Sequence, residues 1–123
     1  MEQHAVRWFE IYAQDILRAR QFYEGVFGYS LTRLDAGDIE MWAFRSHPNA
    51  TGASGALVQV EGFKPGPGGT LVYFACENCA VEESRVTAFG GRVHRPKISI
   101  GAFGHVSLVY DSEGNLIGLH SMN

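Results

Sequence analysis

Residues 5–28 read AVRWFEIYAQDILRARQFYEGVFG, and this stretch decides the fold. Its first eight residues, rich in aromatic and β-branched side chains, predict a strand. Asp15 is placed as a helix N-cap, because its short carboxylate can accept an orphan N–H of the first turn. Ala19, Phe22, Tyr23, Val26 and Phe27 then share one helical face, and Gly28 stops the helix as a left-handed residue. The same order returns in TLVYFACENCAVEESRVTAFGG, residues 70–91. There a strand leads to Asn78 as the cap, a helix runs from about Cys79 to Phe89, and Gly90-Gly91 closes it. Both cap to cap (Asp15 to Asn78) and stop to stop (Gly28 to Gly91), the offset is 63 residues.

Outward from these two units the rest reads as strands and turns. Tyr29–Leu34 and Ile39–Phe44 are expected strands around DAGD, and SHPNATGASG is a loop leading to the strand ALVQV. EGFKPGPGG, residues 61–69, is the linker. RVHRPKISI, HVSLVYD and LIGLHS are expected strands, the last two joined through the turn DSEGN. The order is βαβββ written twice, with modules at about 1–62 and 69–123 of a single domain, 1–123. Neither module can bury its sheet alone, so the expected class is α+β, two βαβββ modules forming a cupped mixed sheet. The same element order also suits an unrelated ferredoxin-like domain. Carried along the chain, the 63-residue offset pairs Gly55 with Gly118 and Trp42 with His105.

Composition narrows the function. The 123 residues are 46% hydrophobic and 19% charged, enough apolar surface to exclude extensive disorder. Ten Lys and Arg lie scattered among thirteen acids at net charge -3, which excludes the basic stripe that nucleic acid requires. No apolar run approaches the roughly 20 residues of a membrane span, and MEQHAVRWFEIYAQD does not read as a signal peptide. A cytoplasmic protein is the expectation. Cys76 and Cys79 have C-x-x-C spacing without a second pair to complete a zinc site, so they are expected as reduced thiols, Cys76 on the helix-packed side of its strand.

FEIYAQDILRARQFYEGVFGYSL resembles the opening of the vicinal oxygen chelate superfamily, which includes glyoxalase I, the bleomycin-resistance proteins and the extradiol dioxygenases. Phe22-Tyr23 and Val26-Phe27-Gly28-Tyr29 carry the likeness. VSLVYDSEGNLIGLHS, with Asp111, Gly114 and Asn115, is similar to the closing D-x-x-G-N hairpin, and Ala88-Phe89-Gly90-Gly91 to the stop after the second helix. The resemblance implies paired modules around one ligand cleft, and a homodimer. It also implies metal ligands on the first and last strand of each module, and here the chain departs. The corresponding positions are Trp8, Leu71, Gly55 and Gly118, none with a donor for a divalent cation, so no metal and no other cofactor is expected. A displaced site on Glu10 and His120, with Tyr73 and Leu57 as its other members, would be two ligands short.

Strand parity gives the expected cleft. Residues two apart share a face, so Glu10 and Tyr12 join Trp8, Tyr73 joins Leu71, His120 joins Gly118, and Leu57 and Gln59 join Gly55. Trp42 and His105 are placed at the cleft as repeat equivalents, while Phe9, Ile11, Val72, Phe74, Val106 and Leu108 are expected beneath the helices. Glu10, Tyr73 and His120 are the candidate reactive groups. Trp8, Trp42, Leu57, Gln59, Leu71 and His105 are the candidate ligand-binding residues. Three functions fit: a metal-free binder of an unidentified small molecule, a glyoxalase-like lyase or isomerase with Glu10 as general base, or a non-catalytic interaction or regulatory subunit.

Overall fold

The two helix caps form as their residue types dictate. In the computed structural model, which describes residues 4, 6–68 and 70–123, Asp15 accepts the Arg18 N–H at 3.1 Å. Helix α1 then runs Ile16–Phe27 and closes on Gly28, whose φ of 74° is left-handed. Asn78 accepts the Ala80 N–H at 3.0 Å to open α2, Cys79–Arg85. This helix is shorter than the spacing predicts. After β-branched Val86 and Thr87 the chain tightens into a 3₁₀ turn at Thr87–Phe89, and Gly91 then packs under Tyr110 and Phe22, a position with no room for a Cβ.

Strand β1, Trp8–Tyr12, precedes α1 and is followed by β2 (Thr32–Leu34), β3 (Glu40–Ala43) and β4 (Ser54–Gln59). The second module repeats this as β5 (Val72–Ala75), β6 (Arg92–Ser99), β7 (His105–Tyr110) and β8 (Leu116–Ser121). Residue 5, expected at the start of β1, lies outside the described residues. Two four-stranded mixed sheets result, ordered β1-β4-β3-β2 and β5-β8-β7-β6, with β1 parallel to β4 and β5 parallel to β8. The expected α+β class, two βαβββ modules, is the observed one.

The core joins the modules through their helix sides. Phe22, Tyr23 and Val26 of α1 are fully buried together with Leu57, Leu119 and Val109 from the sheets. Tyr23 touches Phe44 of the first module and Phe74 of the second, with ring centroids 5.4 and 5.6 Å apart. Phe74 also packs on Phe9 and Phe27. Polar ties follow the same seam. The Tyr23 hydroxyl donates to Asp111 at 2.7 Å, Asn115 Nδ2 donates to the Tyr12 carbonyl, and Glu113 accepts from the Gln14 and Asp15 N–H groups and pairs with Arg18. The D-x-x-G-N hairpin is thus the clasp between modules.

The repeat changes offset along its length. Ala13 and Cys76, 63 apart, make equivalent hydrogen bonds, but they donate to Val58 and His120, which are 62 apart. Gln59 and Ser121 keep that offset and do the same work, Gln59 Oε1 accepting the Ile16 N–H and Ser121 Oγ the Cys79 N–H. The equivalent of Gly118 is therefore Ala56. Alternation along a strand makes a one-residue shift turn every side chain to the other face.

Candidate functional site

Trp8, Glu10 and Tyr12 lie on the face of β1 opposite Phe9 and Ile11, which pack into the helix-side core. Across the sheet they share that outer face with Ala56 and Val58 of β4 and with Met41 and Ala43 of β3. Glu10 is held by its neighbours two residues away. Trp8 Nε1 donates to one carboxylate oxygen at 3.3 Å and the Tyr12 hydroxyl to the other at 3.1 Å. Tyr12 in turn stacks on Phe63 of the linker, with centroids 5.0 Å apart. Burial and then Glu10 raise the Tyr12 hydroxyl above its ordinary value, so it remains a donor. Trp8 stays 42% exposed.

In the second module Tyr73, Gly118 and His120 share the corresponding face, reached through Tyr73 opposite Gly118 and Ala75 opposite His120. The Tyr73 ring lies over Gly118, filling the space a Cβ would take, and Tyr73 is 49% exposed. His120 Nε2 lies 2.7 Å from the Phe103 carbonyl, which fixes the ring and engages that nitrogen. Leu71 precedes β5 and is half-buried.

Several expected placements are corrected. Leu57 is fully buried in the helix-side core and Gln59 caps α1, because β4 follows the 62-residue offset and not 63. Trp42 pairs with Leu57 across β3 and β4 and so faces the same helix side, where the Arg20 guanidinium lies 3.5 Å from its ring centre. Its true equivalent is Ser107, which pairs with Leu119. His105, opposite Ser121 and two residues before Ser107, is on the helix side as well. Val106 and Leu108, expected beneath the helices, pair with His120 and Gly118 and line the outer face. Parity within β7 identifies them once the register of β8 is known.

Glu10 and the pair Tyr73 and His120 therefore occupy corresponding faces of two different sheets. Among the described residues no hydrogen bond, ion pair or ring contact joins these outer faces within one chain.

The metal ligands implied by the resemblance find no fit. With the register corrected the four positions are Trp8, Leu71, Ala56 and Gly118, and none offers imidazole, carboxylate or thiolate. The displaced alternative loses Leu57 to the other face. Among the described residues no three His, Cys, Asp or Glu side chains come together as a metal group. The two thiols are unpaired, Cys79 fully buried and Cys76 packed against the core. Burial, and then the Glu82 carboxylate, push the Cys76 thiol up to about 12, which favours the protonated thiol.

Paired βαβββ modules, each with a helix-covered face and an open face, define the glyoxalase and bleomycin-resistance fold. Residues 6–41 match the family model described as bleomycin resistance protein-like N-terminal. Among solved structures the chain is similar to a glyoxalase/bleomycin resistance protein from Streptomyces sp. CB03234, at 22% identity over 94% of this chain and 98% of that one, TM-score 0.70. It is similar also to a glyoxalase-related enzyme from Fulvimarina pelagi, at 18% identity over 97% and 88%, TM-score 0.71. Glyoxalase I from Zea mays matches at 17% identity and TM-score 0.72, with 93% of this chain covering 43% of that one. No curated protein sequence matches. The chain therefore has the fold of the glyoxalase and bleomycin-resistance structures, and its first third matches the bleomycin resistance protein-like N-terminal model.

Proposed function

We propose that this protein binds a small organic molecule without a metal, on the open faces of its sheets, and that the ligand carries a cationic or hydrogen-bond-donating group. The observation that carries the reading is the Trp8–Glu10–Tyr12 arrangement, a carboxylate presented between two aromatic rings two residues on from the Trp8 position at which the resemblance implies a metal ligand. A cationic nitrogen gains both from the carboxylate and from the ring faces beside it. The absence of donors at Trp8, Leu71, Ala56 and Gly118 supports the metal-free part. Glu10 as a general base is less well supported, because the carboxylate is exposed and both oxygens already accept hydrogen bonds. The structure contains no helix long and apolar enough to cross a membrane among the described residues. Unpaired cysteines fit work in the reducing cytoplasm.

A thermal-shift panel of cationic aromatic compounds, followed by calorimetry on each hit, tests the reading. Glu10→Gln keeps the shape and removes the charge, and is expected to weaken a hit at least about tenfold. Affinity unchanged by this substitution, or one divalent ion per chain by elemental analysis, would sink the proposal.

A further inference from the structure

A second cleft, of about 850 Å³, opens away from Glu10, between the 45–54 loop and strand β5. Its volume is that of a small-molecule site, which typically spans about 300–1,000 Å³. The inner wall is aromatic. Phe9, Phe44 and Phe74 are in mutual ring contact, and Tyr29 packs on the last two. The rim is polar and of one sign. Arg45 and His47 line it beside Asn49 and Thr51, and none of the described residues lining it is an Asp or Glu. In a chain of net charge -3 that is a local inversion.

Arg45 makes no side-chain hydrogen bond or ion pair among the described residues, though its charge acts on the Tyr29 hydroxyl. Burial raises that hydroxyl to about 12, so it stays protonated. His47 Nδ1 accepts the Asn49 N–H at 3.1 Å, which leaves the proton of the neutral ring on Nε2 as a donor. The floor adds a strand edge. Among the described residues β5 pairs with β8 on one side, and its other edge carries main-chain groups without a strand partner. Donors, one full positive charge and a rigid aromatic wall meet in one cleft.

We propose that this cleft binds a planar organic carboxylate, its acid group on Arg45 and its ring against Phe9, Phe44 and Phe74. Arg presents a fork that matches a carboxylate, and the partly buried Phe9 with the exposed edges of Phe44 and Phe74 supplies apolar and edge-to-face contact that a simple inorganic anion would not use. Glu10 does not line this cleft, whereas Tyr73 of the open face borders it, so the two sites are told apart by Arg45 and Glu10 and not by Tyr73.

The test uses the full-length protein with 2-naphthoate and its neutral isostere 2-naphthamide, read by calorimetry and by amide chemical shifts. Naphthoate should bind at least about tenfold more tightly than naphthamide, and its shifts should fall on residues 49–54 and 72–75. Arg45→Gln should lose at least about tenfold in naphthoate affinity, Arg45→Lys should keep part of it, and Glu10→Gln should leave it unchanged. Amide spectra of each variant establish that the fold is intact. The proposal is overturned by no binding at the solubility limit of naphthoate, by equal binding of the amide, or by full affinity in folded Arg45→Gln. Shifts confined to residues 8–12 would overturn it too.

Discussion

Asp111 shows at the scale of one residue how the closing hairpin ties the two modules together. Its carboxylate is buried and accepts from the Glu113 and Asn115 N–H groups, from Asn115 Nδ2 and from the Tyr23 hydroxyl. Tyr23→Phe removes one donor from a charged acceptor, and a hydrogen bond to a charged group contributes about 1.5–3 kcal/mol. Urea unfolding should therefore show Tyr23→Phe destabilised by about that much, with the fold retained; a loss under about 0.5 kcal/mol would mean the clasp is not a stabilising contact. Its neighbour Glu113 sets a pH dependence. Burial opposes ionisation, but the Arg18 guanidinium and the Gln14 and Asp15 N–H groups outweigh it and hold the carboxyl below 4.5. A depressed folded value means stability that is present above the unfolded value and lost as pH falls through the folded one. Asp111 acts with the opposite sign, since burial raises its carboxyl in the fold and lowering pH relieves that cost. The Glu113 contribution is isolated by comparison: Glu113→Gln should flatten the loss of stability below about pH 4.5 relative to the parent, and parallel curves would refute the assignment.

At the scale of elements, the helices were legible because their signals are local. Asp15, Asn78, Gly28 and the spacing of Ala19, Phe22, Tyr23 and Val26 each act within a turn or two of chain, and each does in the structure what its chemistry predicts. The strand faces were legible only in part. Parity within β1, β5 and β8 placed Trp8, Glu10, Tyr73 and His120 on the open faces, and Phe9, Ile11 and Phe74 against the helices. It failed on β4 and β3 because their faces depend on how many residues the intervening turns absorb, a quantity no local propensity carries. One residue fewer between β5 and β8 than between β1 and β4 was enough to put Leu57, Gln59 and Trp42 on the helix side, against the 63-residue offset. The 45–54 cleft was not visible at all, since it needs a loop of one module and an edge strand of the other. Gln59 turns this correction into a measurement. As an acceptor for the Ile16 N–H it holds the first turn of α1 from a distant strand, so Gln59→Ala should cost about 1 kcal/mol in chemical denaturation while leaving the affinity of any Glu10-dependent ligand unchanged. A tenfold affinity loss without a stability change would return Gln59 to the ligand site.

On the scale of the whole molecule, two modules share one core, while among the described residues no hydrogen bond, ion pair or ring contact joins their two open faces. The helix sides are closed by Tyr23, Phe44 and Phe74, and the clasp at Asp111 and Glu113 fixes the modules against each other. The open faces keep Trp8 and Tyr73 half in water, and β1, β2, β5 and β6 are all edge strands. Exposed aromatics beside free edges are what a second copy covers, and closed two-fold symmetry is the commonest way to cover them. We propose that the protein is a homodimer in which the first-module face of one protomer meets the second-module face of its partner, bringing Glu10 opposite Tyr73 and His120 of the other chain. Light scattering at micromolar concentration should give twice the chain mass of 13.5 kDa. Trp8→Glu and Tyr73→Glu each place a carboxylate in the buried contact, so each should shift the mass toward one chain without disturbing the helix-side core, which circular dichroism and the unfolding curve report. Binding of a Glu10-dependent ligand should fall with the dimer, because half of its site would then be missing, whereas 2-naphthoate should still bind the Trp8→Glu monomer through Arg45 and the aromatic wall; Tyr73 borders that cleft, so only Trp8→Glu serves this comparison. A parent protein of single-chain mass that binds its Glu10-dependent ligand at full affinity would place the complete site within one protomer and end the two-chain arrangement.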